Sequence, residues 1–137
     1  MIAPANPAMN NRRLGEILRQ ECERVEGELG FWQVFFSNRN LLVVTDESHN
    51  RMRIMTPIVA EEQITEEELH TLLAANFDRA LDAKFALSHG QLWSVFVHPL
   101  GQLAEEMVLD VLRQVATLAD NYGTTYASTE LFFGGGN

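Results

Sequence analysis

Three β-rich runs follow one another in "FWQVFFSNRNLLVVTDESHNRMRIMTPIVA", residues 31–60, with only "SNRN" and "TDESHN" between them. Both separators are polar and rich in turn formers, so they close hairpins. Strands near 31–37, 41–45 and 51–58 then form an antiparallel meander. Pro57 cannot donate to a ladder, which assigns it to a strand end or a sheet edge. These runs are apolar on both sides. A sheet with helices on one face should alternate apolar and polar along each strand. Here Trp32, Val34 and Phe36 alternate with Phe31 and Phe35, while Leu41 and Val43 alternate with Leu42 and Val44. Helices, a partner subunit or a client must cover the second face, because an open patch of that size invites aggregation.

A second β-rich region, "KFALSHGQLWSVFV", reads as a hairpin turning at His89-Gly90, whose glycine tolerates positive φ. That turn sets Leu87 opposite Leu92 and Phe85 opposite Ser94, with Trp93, Val95 and Val97 on the other side. Three helical patterns surround the strands. "NNRRLGEILRQECERVEGELG" carries an apolar stripe at Leu14, Ile17, Leu18, Cys22, Val25 and Leu29, with Asn10 or Asn11 as cap and Gly30 as terminator. Cys22 on that stripe reads as a small buried hydrophobe. In "ITEEELHTLLAANF", Thr65 and Glu68 form a capping box, with Ile64 and Leu69 as its hydrophobic staple. Leu69, Leu72, Leu73 and Phe77 make the stripe expected to be buried. The last helix, "LGQLAEEMVLDVLRQVATLADNY", ends before Gly123. Beside its main apolar row it carries a second strip at Leu109, Leu112 and Ala116.

The order α-β-β-β-α-β-β-α describes an α+β domain: an antiparallel five-stranded sheet with helices packed on it. At 137 residues the chain is expected to be a single domain over 1–137, with an ordered core over about 12–122 and flexible ends at 1–9 and 134–137. A formal charge of −9 argues against nucleic acid as a partner. No apolar run approaches the roughly 20 residues of a membrane span, so no membrane partner is expected. The opening "MIAPANPAMN" lacks the plan of a signal peptide, and one cysteine fits a reducing compartment, so a cytoplasmic location is expected.

No reaction is named by the residues. His49 sits in a polar turn beside Asp46 and Glu47, and His70 lies on a charged helix face without a second histidine at metal spacing. His89 and His98 fall at opposite ends of one strand, roughly 30 Å apart at about 3.3 Å per residue. Phosphate-binding loops, nucleophile elbows and zinc motifs are missing, and "FGGGN" has no helix after it. Neither a catalytic residue nor a metal or organic cofactor is expected.

The order of elements, with "RMRIMTPI" on the third strand and "LLAANFDRALDAKFALSHGQLWSVFVHPL" across the second helix and hairpin, resembles the YbjN-like and type III secretion chaperone-like (CesT/Tir chaperone-like) families over about residues 12–122. The resemblance implies a small, acidic, cytoplasmic homodimer that holds an extended segment of a client, or a regulator without defined chemistry. It supplies no catalytic residues. The doubly apolar strands and the wide stripe of the last helix support a homodimer independently, with Trp32, Val34, Trp93, Val95, Val97, Leu109 and Leu112 as the candidate partner or dimer surface. Cover by the C-terminal "LFF" segment is the competing explanation. The alternative function is a small-ligand sensor or an enzyme with a pocket between sheet and helices, where Ser94 and Asn76 are the best convergent polar pair.

Overall fold

The structure, a computed structural model, describes residues 8–129. The "LFF" segment, the closing glycines and most of the opening 1–9 stretch lie outside the described residues. Helix α1 (Asn11–Glu21) is followed by β1 (Arg24–Glu28), β2 (Phe31–Phe36), β3 (Arg39–Asp46) and β4 (Arg51–Ala60). Then come α2 (Glu66–Asp78), the hairpin β5 (Lys84–Ser88) and β6 (Gln91–His98), and α3 (Glu105–Asp120). All strands join one antiparallel sheet in the order β1-β2-β3-β4-β6-β5. The class is α+β as the sequence implies, with six strands instead of five.

The extra strand comes out of the first predicted helix. Asn10 caps α1, its Oδ1 accepting from the Arg13 amide at 2.8 Å, but the helix stops at Glu21 and Cys22 is already extended. Val25 and Leu29 fit the 3.6-residue stripe, yet "RVEGE" also alternates with period two. Gly27 decides the matter. Its φ of +112° is closed to other residues, and a Cβ there would lie 2.3 Å from the Phe31 carbonyl oxygen. Gly30 does not end a helix. It forms, with Leu29, the two-residue link between Glu28 and its partner Phe31.

The remaining turns follow the local chemistry. Ser37-Asn38 and His89-Gly90 both hold two consecutive positive φ values, the pairing that matches strand twist in tight hairpins. The second hairpin has the expected register, Leu87 opposite Leu92 and Phe85 opposite Ser94. Pro57 is neither at a strand end nor on an edge strand. It lies within β4, beyond the last β3 pair at Met55, where the ladder with β6 shifts between Pro57 and Val59. A bulge of this kind is one of the few places a sheet accepts proline.

Helix α2 begins as its sequence requires. Thr65 accepts from the Glu68 amide at 3.1 Å and the Glu68 carboxylate accepts from the Thr65 amide at 2.9 Å. Its burial differs from expectation. Leu72 and Ala75 face the core, whereas Leu73 is 71% exposed and Phe77 90% exposed. The helix meets the domain at the β5 end of the sheet, so one narrow face is enough to anchor it.

The core lies between one sheet face and the helices. Trp32, Val34, Leu41, Val43, Met52, Ile54, Leu92 and Phe96 point inward and meet Leu14 and Leu18 of α1 with Val108, Val111, Leu112, Val115 and Leu118 of α3. Met9 and Ala127, outside the 12–122 stretch expected to carry the core, are also buried. Gly15 brings α1 down on the Trp32 indole, where an added Cβ would meet the ring at 3.4 Å. Three buried or half-buried polar side chains act as pegs. Ser94 Oγ donates to the Val115 carbonyl at 2.8 Å, tying β6 to α3. Gln114 Oε1 accepts from the Asp82 and Ala83 amides at 2.8 and 3.2 Å, holding the link into β5. Asn76 bonds both the amide and the carbonyl of Phe85, at 2.8 and 3.1 Å.

Two stability outcomes are expected in chemical denaturation. Thr65→Ala should lose about 0.5–2 kcal/mol with the capping box. Gly27→Ala should lose clearly more than Gly90→Ala, whose cost is about 1–2 kcal/mol of backbone strain with open space around the new methyl. Equal midpoints for the two glycine variants would contradict the close approach at Gly27.

Candidate functional site

The three helices lie on one face of the sheet, so the alternate residues of every strand are left on the other. Three cross-strand rows cover this open face. Phe31, Val44, Arg53 and Val97 form the first, and Gln33, Leu42, Met55, Val95 and Lys84 the second. The third includes Phe35, Asn40, Pro57, Trp93 and Ala86. Phe31 is 54% and Val97 58% exposed, and Phe35, Leu42, Val44, Met55, Trp93 and Val95 are half-buried. Flat sheet faces seldom shield large side chains from water without a second layer.

At the β3–β4 end this face dips into a concavity of about 600 Å³, with Val44, Met55 and Val97 among its apolar walls and Arg51, Arg53 and His98 among its polar ones. The turn after β3 closes one side. There Asp46 accepts from Ser48 Oγ at 2.7 Å and lies 2.7 Å from His49 Nδ1. The Ser48 hydroxyl and then His49 hold the Asp46 carboxyl down to about 2, so it stays ionised at any ordinary pH. Aspartate, serine and histidine meet here, but not as a catalytic triad. Ser48 and Asp46 both address Nδ1, whereas a triad needs them on opposite ring nitrogens. Asp46 caps the 3₁₀ turn Glu47–His49, and that is a structural task.

Six of the seven residues expected to form a partner surface divide into two groups. Trp93, Val95 and Val97 are on the open face. Trp32, Val34 and Leu112 are fully buried and belong to the core of a single copy. Trp32 and Val34 take the face of β2 that the helices cover, and Leu112 lies where α1 packs against α3. Ala116 is buried with it, and the half-buried Leu109 lines a groove with Ile17 between α1 and α3. Ser94 and Asn76 do not converge on a pocket, since Ser94 is bonded under α3 and Asn76 is bonded to the rim of β5. Strand alternation grouped Trp93, Val95 and Val97 on one side of β6 but joined them to the wrong side of β2. The α2 ridge of Leu73 and Phe77 was missed, because an apolar stripe does not reveal which of its sides finds a neighbour.

Among the described residues no group of three or more histidine, cysteine or carboxylate side chains is placed to hold a metal ion, and no helix is long and apolar enough to cross a membrane. Cys22 is half-buried between Glu21 and Glu23. Burial, and then the two carboxylates, push its thiol up to about 11. The scarcity of thiolate outweighs the higher nucleophilicity of a basic thiolate. Iodoacetamide at pH 7 should therefore modify Cys22 about ten-fold or more slowly than a free cysteine peptide. A rate equal to the peptide's would mean that the α1–β1 junction is open.

No family model matches the sequence, and no curated protein matches it. Solved structures do match by fold. A chain of the HopA1–SchA chaperone–effector complex superposes with a TM-score of 0.59 at 12% identity, over 78% of this chain and 87% of that one. A chain of the ExsC–ExsE complex gives 0.61 at 14% identity, over 82% and 92%. The six-stranded sheet with its three helices is thus a type III secretion chaperone-like fold.

Proposed function

We propose that this protein is a non-catalytic, cytoplasmic binding module that holds an extended segment of another protein against the open face of its sheet, and that it acts as a homodimer. The observation that carries the reading is the open face itself. Phe31, Val97 and their half-buried neighbours make an apolar floor that no helix covers among the described residues. An extended chain suits such a floor, because alternate side chains descend into the valleys between strands while the others stay in water. The fold supports the same reading, since one of the two similar chains comes from a chaperone–effector complex. The reactive side chains are occupied with caps and turns, and this supports a role without catalysis.

The dimer reading rests on a different surface. Leu73, Phe77 and Leu81 are exposed along one side of α2 and the link that follows it. Two such ridges meeting antiparallel about a two-fold axis would bury one another, the commonest solution for a self-complementary patch. The two surfaces lie on different elements, so they separate by mutation.

Leu73→Glu with Phe77→Glu should convert a dimer into a soluble monomer in sedimentation at micromolar concentration, with the far-UV spectrum unchanged. A wild type that already sediments as a monomer would remove the dimer. Phe31→Glu with Val97→Glu should leave the mass alone and weaken binding to an array of extended apolar–polar peptides of about ten residues by at least about ten-fold. Undiminished binding would remove the open face as the client site.

A further inference from the structure

We infer that the concavity at the β3–β4 end of the open face is an acid-reading subsite, built for a client segment that carries a carboxylate beside its apolar anchors. The inference rests on the reading of the open face as a client site and specifies the chemistry of the client. Its basis is the distribution of positive charge. The chain has 10 Lys and Arg residues against 19 Asp and Glu, and most of those cations are engaged. Arg12, Arg13, Arg24 and Arg39 pair with carboxylates. Arg19, Arg79 and Lys84 donate to backbone carbonyls. Only Arg51, Arg53 and Arg113 hold no hydrogen bond or ion pair among the described residues, and two of these three line the same concavity.

Their setting makes them useful to a ligand. Arg53 stands in a cross-strand row between Val44 and Val97, so its guanidinium rises from apolar ground. Arg51 is the strand partner of Asp46, yet the Asp46 carboxylate is turned to Ser48 and His49 and makes no ion pair with it. His98 lines the end of the concavity, but its ring is stacked on the inward-facing Phe96 and bonded through Nδ1 to the Pro99 carbonyl, so the two arginines are the cationic side chains of the open face there. An arginine fork beside an apolar wall matches a carboxylate next to an aliphatic side chain. The remaining surface of this acidic chain repels such a segment, so the two arginines also set where it lands and in which register. Val44, Met55 and Val97 belong both to the wall of the concavity and to the apolar rows. A polypeptide segment therefore fits better than an isolated small acid, which would leave most of the apolar floor wet.

The test uses three fluorescein-labelled probes, Ser-Leu-Ser-Glu-Ser-Val-Ser-Leu-Ser, which puts its carboxylate on the same side as its apolar anchors, and its Gln and Lys counterparts, titrated by anisotropy. The wild type should bind the Glu peptide about ten-fold more tightly than the Gln peptide, and the Lys peptide most weakly. The Glu advantage should shrink in high salt. The pair Arg51→Gln and Arg53→Gln, both exposed, should remove the preference while leaving the Gln peptide's affinity unchanged. Equal binding of the Glu and Gln peptides would overturn the acid-reading subsite and leave the client site standing. Failure of all three to bind would overturn both. Decanoate at millimolar concentration displacing the Glu peptide completely would identify a small-acid site and overturn the peptide assignment. So would a change of sedimenting mass in the Arg51→Gln, Arg53→Gln protein, which would identify the face as a contact between copies.

Discussion

The structure depends on the contact between α3 and the centre of the sheet. Strands β4 and β6 are the longest-paired neighbours, and α3 lies across their inner face with Val108, Val111, Leu112, Val115 and Leu118 buried. A six-stranded sheet is wider than one helix, so α3 alone leaves both flanks of the inner face open. Helix α1 covers the β1–β2 flank over Trp32, and α2 covers only the far end near β5. Both secondary helices take their place from α3: one crosses it, and the other is linked through Gln114. Among the described residues all helical material is spent on one face, and the other is left without a helix.

The Ser94–Val115 bond shows how closely the layers meet. A serine hydroxyl facing the core would carry an unsatisfied donor unless a helix carbonyl came within reach, and in α3 it does. Trp32 is the counter-example. Its indole N–H is buried beneath Gly15 without a partner among the described residues, a cost of about 1–3 kcal/mol that the packing of the ring must outweigh. The packing of α1 is therefore tuned by size more than by polarity.

Much of this was legible in the residues, and the failures have definite causes. Turn chemistry located the β2–β3, β3–β4 and β5–β6 connections but not the β1–β2 turn at Leu29-Gly30, and the capping box at Thr65 located the start of α2. The β1 strand was hidden because Leu18, Cys22, Val25 and Leu29 keep helical spacing across a helix end that only Gly27 betrays. Trp32 and Val34 were assigned outward because a doubly apolar strand does not say which of its faces the helices choose, and Leu112 because the stripe of α3 does not show that α1 packs against it. The open face was foreseen as a surplus of apolar residues. Its cationic corner was not, since Arg51 and Arg53 become unusual only once the other cations are seen to be engaged. The outward ridge of α2 was invisible for a related reason: burial is a property of neighbours, and the sequence of one helix does not contain them.

Asn76 has a consequence for the protein's behaviour in concentrated solution. Strand β5 ends the sheet, and the Phe85 amide and carbonyl point away from β6, where another chain's strand would dock. The Asn76 side chain already fills both positions. At the opposite margin the positive φ of Gly27 breaks the regular pleat of β1. Growth of the sheet by in-plane addition of further copies is therefore hindered at both margins. A bare apolar sheet would ordinarily be a seed for fibres. Closing its margins leaves contact through the face as the remaining route, which allows one segment to be captured at a time without the captors polymerising.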